Sequence, residues 1–322
     1  MTRFGLSVTF ALLLAALGPA AAVAQEEHAR TVDVARDAVA PGSQEEATQN
    51  QIDIVHHIGN AHELELPFLG IVHLPQWEPI HFGGLSIDLS PTKHLVFMLL
   101  AALIVALTFI LSARAVARAQ AQGKPAKGFA GTMEALALYI RQEVVLPNVG
   151  HHGEGFVPYL LTLFFFILVM NLLGLFPWGA TPTGNIAVTA ALALMAFITI
   201  EVAGMRALGL KGYLHTIFYL PPGLPGPLKP IMLVIMTPVE IIGKLSKPFA
   251  LAVRLFANMT AGHVLVLALI GLTFLFQSYV VGGLASILAT AIMLLELFVA
   301  FLQAFVFTLL TSVFIGLMRA EH

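Results

Sequence analysis

PFALAVRLFANMTAGHVLVLALIGLTFLFQ, residues 248–277, is an apolar run with one fixed charge, Arg254; Asn258 follows one turn later and His263 lies beyond it. About 20 residues of α-helix suffice to cross a hydrocarbon core of about 30 Å. The run therefore reads as a membrane-spanning helix. An arginine deep inside such a helix costs at least about 2.5–3.5 kcal/mol by insertion scales. A chain keeps it where it faces a water-filled cavity or a partner charge. Arg254 has apolar sequence on both sides, which argues against a side chain merely snorkelling to headgroups from a helix end. It reads as the working residue of an ion path. At about 100° per residue, Ala250, Ala257, Asn258, Ala261, Leu265 and Ala268 fall within about 60° of it. That stripe of mostly small side chains lets another helix come close. His263 projects to nearly the opposite side, toward a different neighbour.

A second helix answers the first. Residues 284–318 contain one charge, Glu296, and then Gln303 seven residues on. Seven residues is nearly two turns, so both share a face with Ala285, Ala289, Ala300 and Phe307. The short connection 278–283 implies an antiparallel hairpin. Pairing His263 with Glu296 places Arg254 within about half a turn of Gln303 in the same register.

Composition bounds the rest. The chain has 322 residues, is 58% hydrophobic and 11% charged, and has a mean hydropathy of +0.88. Soluble domains carry about 25% charged residues. This is a polytopic, all-α membrane protein with little room for a soluble domain. Its net charge of −2 suggests no nucleic-acid partner. The absence of cysteine rules out disulfides, thiolate chemistry and Cys-based metal sites. No Gly-rich phosphate loop, HExxH or GxSxG occurs. No cofactor is expected.

Taken from its start, residues 1–24 read as a secretory signal peptide: Arg3, an apolar stretch, then Ala22-Val23-Ala24 as the cleavage site. An uncleaved first helix is the competing reading; both put residue 30 onward outside the cytoplasm. Residues 25–90 form a polar extracytoplasmic segment with weak periodicity. It is expected to be loosely structured, with a short amphipathic stretch near 50–66. Its histidines, His56, His57, His62, His73 and His81, match no metal-ligand spacing and read as solvated. Residues 91–322 form the membrane domain. Its first span is 94–111, and the Arg114, Arg118, Lys124, Lys127 cluster after it places that loop in the cytoplasm. Residues 132–146 form an amphipathic helix at the interface. Spans 156–176 and 186–205 follow. Asn171 reads as a packing or capping residue, and Glu201 as a local ion-pair partner of Arg206 or Lys211. Residues 230–277 would make a helix about 70 Å long, too long to stand upright, with breaks offered at Pro238 and Pro248. Two overlong antiparallel helices imply a strongly inclined hairpin. The expected topology is five mature spans, N-terminus out and C-terminus in.

Four stretches carry a resemblance: EIIGKLSKPFALAVRLFAN (240–258), ELFVAFLQAFVF (296–307), MNLLGLFPWGATPTGNIAVTAALAL (170–194) and the terminal MRAEH. They are similar to subunit a of the bacterial F-type ATP synthase, over roughly residues 50–322, and RLFANMTAGH is highly specific to that family. The resemblance implies the stationary, non-catalytic half of a rotary proton path in the bacterial inner membrane. Its implied partners are a c-subunit ring, a b-subunit stator and the remaining synthase subunits. Arg254 matches the arginine that faces the ring carboxylates and separates two offset half-channels. Asn258 and Gln303 match polar residues beside it, and Glu240 an acidic residue of the inner half-channel. His263 and Glu296 match two residues of the outer one, with the acid and the imidazole exchanged relative to several relatives. Whether the ion is H⁺ or Na⁺ is set by the ring carboxylate, which belongs to another chain. An ion-coupled secondary transporter is the alternative; it predicts paired repeats with broken helices, and this chain has one charged hairpin without a second copy.

Overall fold

The computed structural model describes residues 63–66, 70–76, 80–82, 85–87, 90–150, 153–176, 179, 181–218, 225, 229–276 and 278–320. The expected signal peptide lies outside them, as do His56, His57 and His62 and most of the expected amphipathic stretch. Among the described residues, two short antiparallel hairpins come first. β1 (Glu63–Leu66) pairs with β2 (Gly70–His73), setting Glu63 opposite His73, and β3 (Ile80–Phe82) pairs with β4 (Leu85–Ile87). Alternation in ELEL and the β-branched pair in GIVH favour strand there. Residues 63–66 are thus a strand inside a segment expected to be loose.

The membrane body that follows is all-α. Its elements are α1 (Lys93–Ala121), α2 (Gly128–Tyr139), α3 (Leu146–Val149), α4 (Val157–Gly174), α5 (Ile186–Ile217), α6 (Lys229–Phe276) and α7 (Tyr279–Ala320). Among the described residues, five stretches, built on α1, α4, α5, α6 and α7, are long and apolar enough to cross a membrane, matching the expected number and order of spans. Thr92 caps α1, its Oγ1 accepting from the Leu95 amide, and Asn185 caps α5, its Oδ1 accepting from Ala187.

α1 buries Met98, Ala101, Ala102 and Val105, an i, i+3, i+4, i+7 stripe, against α4. The rings of Phe109 and Phe165 meet edge to face there, with centroids 4.8 Å apart. The core lies where α4, α5 and the second half of α7 meet, around Phe164, Ile167, Leu192, Phe307 and Ile315. The amphipathic segment is expected as one helix over 132–146. It starts earlier, at Gly128, and passes through a π-helical turn, Ile140–Val145. That turn buries Ile140, Val144 and Val145. The segment packs on α7 closely enough that a Cβ at Gly316 would strike the Asn148 backbone carbonyl.

Two boundaries differ in an instructive way. Pro238 and Pro248 both lie inside α6, which continues through them as one 48-residue helix. Each proline removes one backbone donor, and neighbouring helices make such losses tolerable in membranes. The third span runs past Met205 to Ile217, with a kink at Gly209, whose φ of 69° and ψ of 169° are not helical. A side chain is essentially excluded from that region of φ/ψ, and glycine is not.

Candidate functional site

α6 and α7 pack antiparallel, and their polar side chains meet in register. Asn258 Nδ2 donates to Gln303 Oε1 at 3.1 Å. Gln303 is 1% exposed, and its Nε2 has no hydrogen-bond partner among the described residues. One turn further along α6, Gly262 lies against the Glu296 carboxylate, and a Cβ at 262 would overlap it. Glycine leaves the room that this carboxylate occupies. The expected register set His263 level with Glu296; the residue against the carboxylate is its neighbour Gly262, and His263, half-buried, is one position on. Glu296 Oε1 is buried without a hydrogen-bond partner among the described residues.

This level of the hairpin is anchored from behind. Asn171 Nδ2, fully buried on α4, donates to the Ala300 carbonyl at 3.2 Å, while Thr183 Oγ1 donates to Asn171 Oδ1 at 2.7 Å. Asn171 is therefore a packing residue, as its position suggests, and it ties α4 and the 182–184 turn to α7.

Arg254 faces the other way. Leu251, Ala252, Leu255 and Met259 of α6 are buried, whereas Arg254, Ala250, Ala257, Asn258, Ala261 and Leu265 are exposed. Apart from Asn258, which is bonded to α7, the small-residue stripe around the arginine is thus a surface that none of the described residues covers. The facing edge of α7 is open too, with Ile287 72%, Leu294 65% and Phe298 61% exposed. Glu240 lies on the same stripe, fourteen residues before Arg254, or about 21 Å along the axis. It is half-buried, and among the described residues it has no ion-pair partner. The Gly262–Glu296 contact lies about 12 Å beyond Arg254 in the opposite direction. Arg254 therefore stands between two carboxylates offset along the helix.

A buried polar cluster went unread in the sequence. Glu201, expected to pair with Arg206 or Lys211, instead faces Lys244 of α6, with Nζ to Oε2 at 3.8 Å. The Tyr213 hydroxyl donates to the same carboxylate oxygen, and Lys244 Nζ donates to Thr216 Oγ1 at 3.0 Å. The ammonium also sits 4.7 Å from the Tyr213 ring centroid. In a straight helix Glu201 and Tyr213 would be about 18 Å apart along the axis. The Gly209 kink folds the last turns of α5 back so that they meet. Glycine within a helical pattern was the only signal for it. Among the described residues, no group of three or more His, Asp or Glu could hold a metal.

The family model described as ATP synthase A chain matches residues 95–316. The chain is 45% identical to ATP synthase subunit a of Chloroherpeton thalassium, over 84% of this chain and 78% of that one. It is 44% identical to ATP synthase subunit a 2 of Chlorobium luteolum, over 94% of this chain and 86% of the relative. With ATP synthase subunit a of Myxococcus xanthus the identity is 43%, over 79% of this chain and 88% of the relative.

Proposed function

The chain belongs to the family of subunit a, the proton-channel subunit of the F-type ATP synthase, and from that membership we propose that its α6–α7 hairpin forms two offset half-channels to the carboxylates of a rotating c-subunit ring. One observation carries the reading: Arg254 stands exposed on a small-residue stripe of an apolar helix, with Glu240 on one side of it along the axis and Glu296 on the other. An exposed arginine in hydrocarbon needs a counter-charge from outside the chain. A ring of helices, each with one carboxylate, supplies it and fits a surface of small residues.

The chemistry follows from the side chains. His263 and Glu296 exchange protons with the outer aqueous side; imidazole does this near neutral pH. From there the proton passes to a ring carboxylate, which turns into the bilayer as a neutral group and returns on the side of Glu240. Arginine does not release its proton under these conditions, so Arg254 cannot relay one. It favours the ionised ring carboxylate opposite it and blocks direct passage between the half-channels. Asn258 and Gln303, bonded to each other, hold the polar side of this contact. ATP chemistry belongs to other subunits, and a b-type stator holds the chain still.

Orientation follows from charge. The basic stretch from Arg114, in the last turns of α1, to Lys127 and the Arg206–Lys211 end of α5 are cytoplasmic, so the mature N-terminal segment, 25–90, faces outward after removal of residues 1–24, and residues 91–322 form the membrane domain. Arg319 Nη1 donates to the Val149 carbonyl at 3.2 Å, which supports a C-terminus on the same side as that stretch. The membrane is then the bacterial inner membrane. Affinity purification from it tests the assignment: a c ring and ATPase subunits should co-migrate with the chain, and recovery of the chain free of both from intact membranes would overturn it.

A further inference from the structure

Lys244 follows Glu240 by four residues, an arrangement in which a helical glutamate and lysine are neighbours about 5–6 Å apart at Cβ and normally pair. They do not pair here. The ammonium turns instead to α5, donating to Thr216 Oγ1 at 3.0 Å and approaching Glu201 Oε2 to 3.8 Å. The next cation on that side, Lys247, is also engaged elsewhere, its Nζ 5.0 Å from the centroid of the Phe314 ring of α7. Glu240 is left without an ion-pair partner among the described residues.

We propose that Glu201, Tyr213 and Thr216 form a holder that withholds Lys244 from Glu240 and so keeps Glu240 open to proton exchange; the idea rests on the role assigned to Glu240 above. Glu201 is then a positioning residue. Lys244 is 7% exposed and Glu201 9%, so the ammonium is held almost wholly away from solvent by the described residues. A buried charge that loses its counter-charge is strongly destabilised. With Glu201 neutral, the nearest remaining carboxylate on the same helix is Glu240. Pairing there would tie up the group that must bind and release a proton in each ring step. The holder exists because Gly209 folds α5 back on itself, and its parts come from two helices, so the arrangement depends on the tertiary fold.

A rescue experiment separates this from a simple clamp between α5 and α6. ATP-driven proton pumping is measured per assembled complex in inverted vesicles for Glu201→Gln, Lys244→Met, the double variant and Glu240→Gln. The holder predicts a loss of about tenfold or more for Glu201→Gln, equivalent to about 1.4 kcal/mol of misdirected pairing. Lys244→Met should pump within about twofold of the parent. The double variant should recover most of what Glu201→Gln loses, because no ammonium remains to capture Glu240. A clamp predicts that Lys244→Met is as damaging as Glu201→Gln and that the double variant is no better than either. That result overturns the holder and leaves the reading of Glu240 intact if Glu240→Gln has itself stopped pumping. Normal pumping by Glu240→Gln would overturn both.

Discussion

Replacing Asn258 by alanine should destabilise the hairpin more than replacing its buried partner does. Gln303 is 1% exposed, and its Oε1 accepts its hydrogen bond from Asn258 at 3.1 Å; its Nε2 already lacks a partner among the described residues. Asn258→Ala therefore strips a buried amide of that bond. Leaving a buried polar group unsatisfied costs about 1–3 kcal/mol. Gln303→Met keeps the volume and removes both polar atoms, one of them already unpartnered among the described residues, and Asn258 loses one bond at the helix surface. The change removes a buried polar group instead of leaving one unsatisfied, so it should cost less than the loss of about 1–3 kcal/mol above. Hydrogen bonds between membrane helices average about 0.6 kcal/mol by double-mutant cycles, with a maximum near 1.7. The coupling between the two sites should fall in that range, with Gln303→Met masking Asn258→Ala in the double variant. Equilibrium unfolding of the purified chain in mixed micelles, titrated with SDS, gives the four free energies. The reasoning fails if Gln303→Met is the costlier single change, or if the two singles simply add.

Gly209→Ala should cost about 1–3 kcal/mol through the backbone alone, because its φ of 69° is closed to alanine while nothing lies within 4 Å of the added Cβ; the same unfolding titration reads it, and a neutral result would mean the kink relaxes freely. His263→Ala and Glu296→Ala should each slow proton entry strongly in complexes that still assemble. The exchange His263→Glu with Glu296→His should recover much of what His263→Glu alone loses, since a coupled pair titrates as a unit. Pumping per assembled complex across pH measures this. An exchange no better than the worse of its two component single substitutions would refute a shared site.

The number of spans and the hairpin register were legible for different reasons. Apolar runs separated by basic loops are a long-range composition signal, and the five helices follow it. The register came from polar residues that apolar helices cannot leave unpaired. Asn258 and Gln303 do meet, and Glu296 lies one residue from the expected partner position. What stayed hidden depends on backbone geometry that single residues do not announce. Proline reads as a break, yet α6 runs unbroken through Pro238 and Pro248 because its neighbours and length hold it. Glycine at 209 reads as ordinary helix filler, yet it is the bend that carries Tyr213 to Glu201 and lets Lys244 of another helix take the place expected for Arg206 or Lys211. The hairpins at 63–87 are too short for period-2 alternation to stand out in a segment rich in Pro and Gly.

The central claim is that Arg254 is the fixed charge around which proton flow is organised, and its most direct test is ATP-driven pumping per assembled complex for Arg254→Ala. The variant should assemble with the ring and pump no protons. Arg254→Lys should also fail largely, because a compact ammonium does not replace a planar, delocalised guanidinium. An assembled Arg254→Ala complex that pumps at the parental rate would contradict the account.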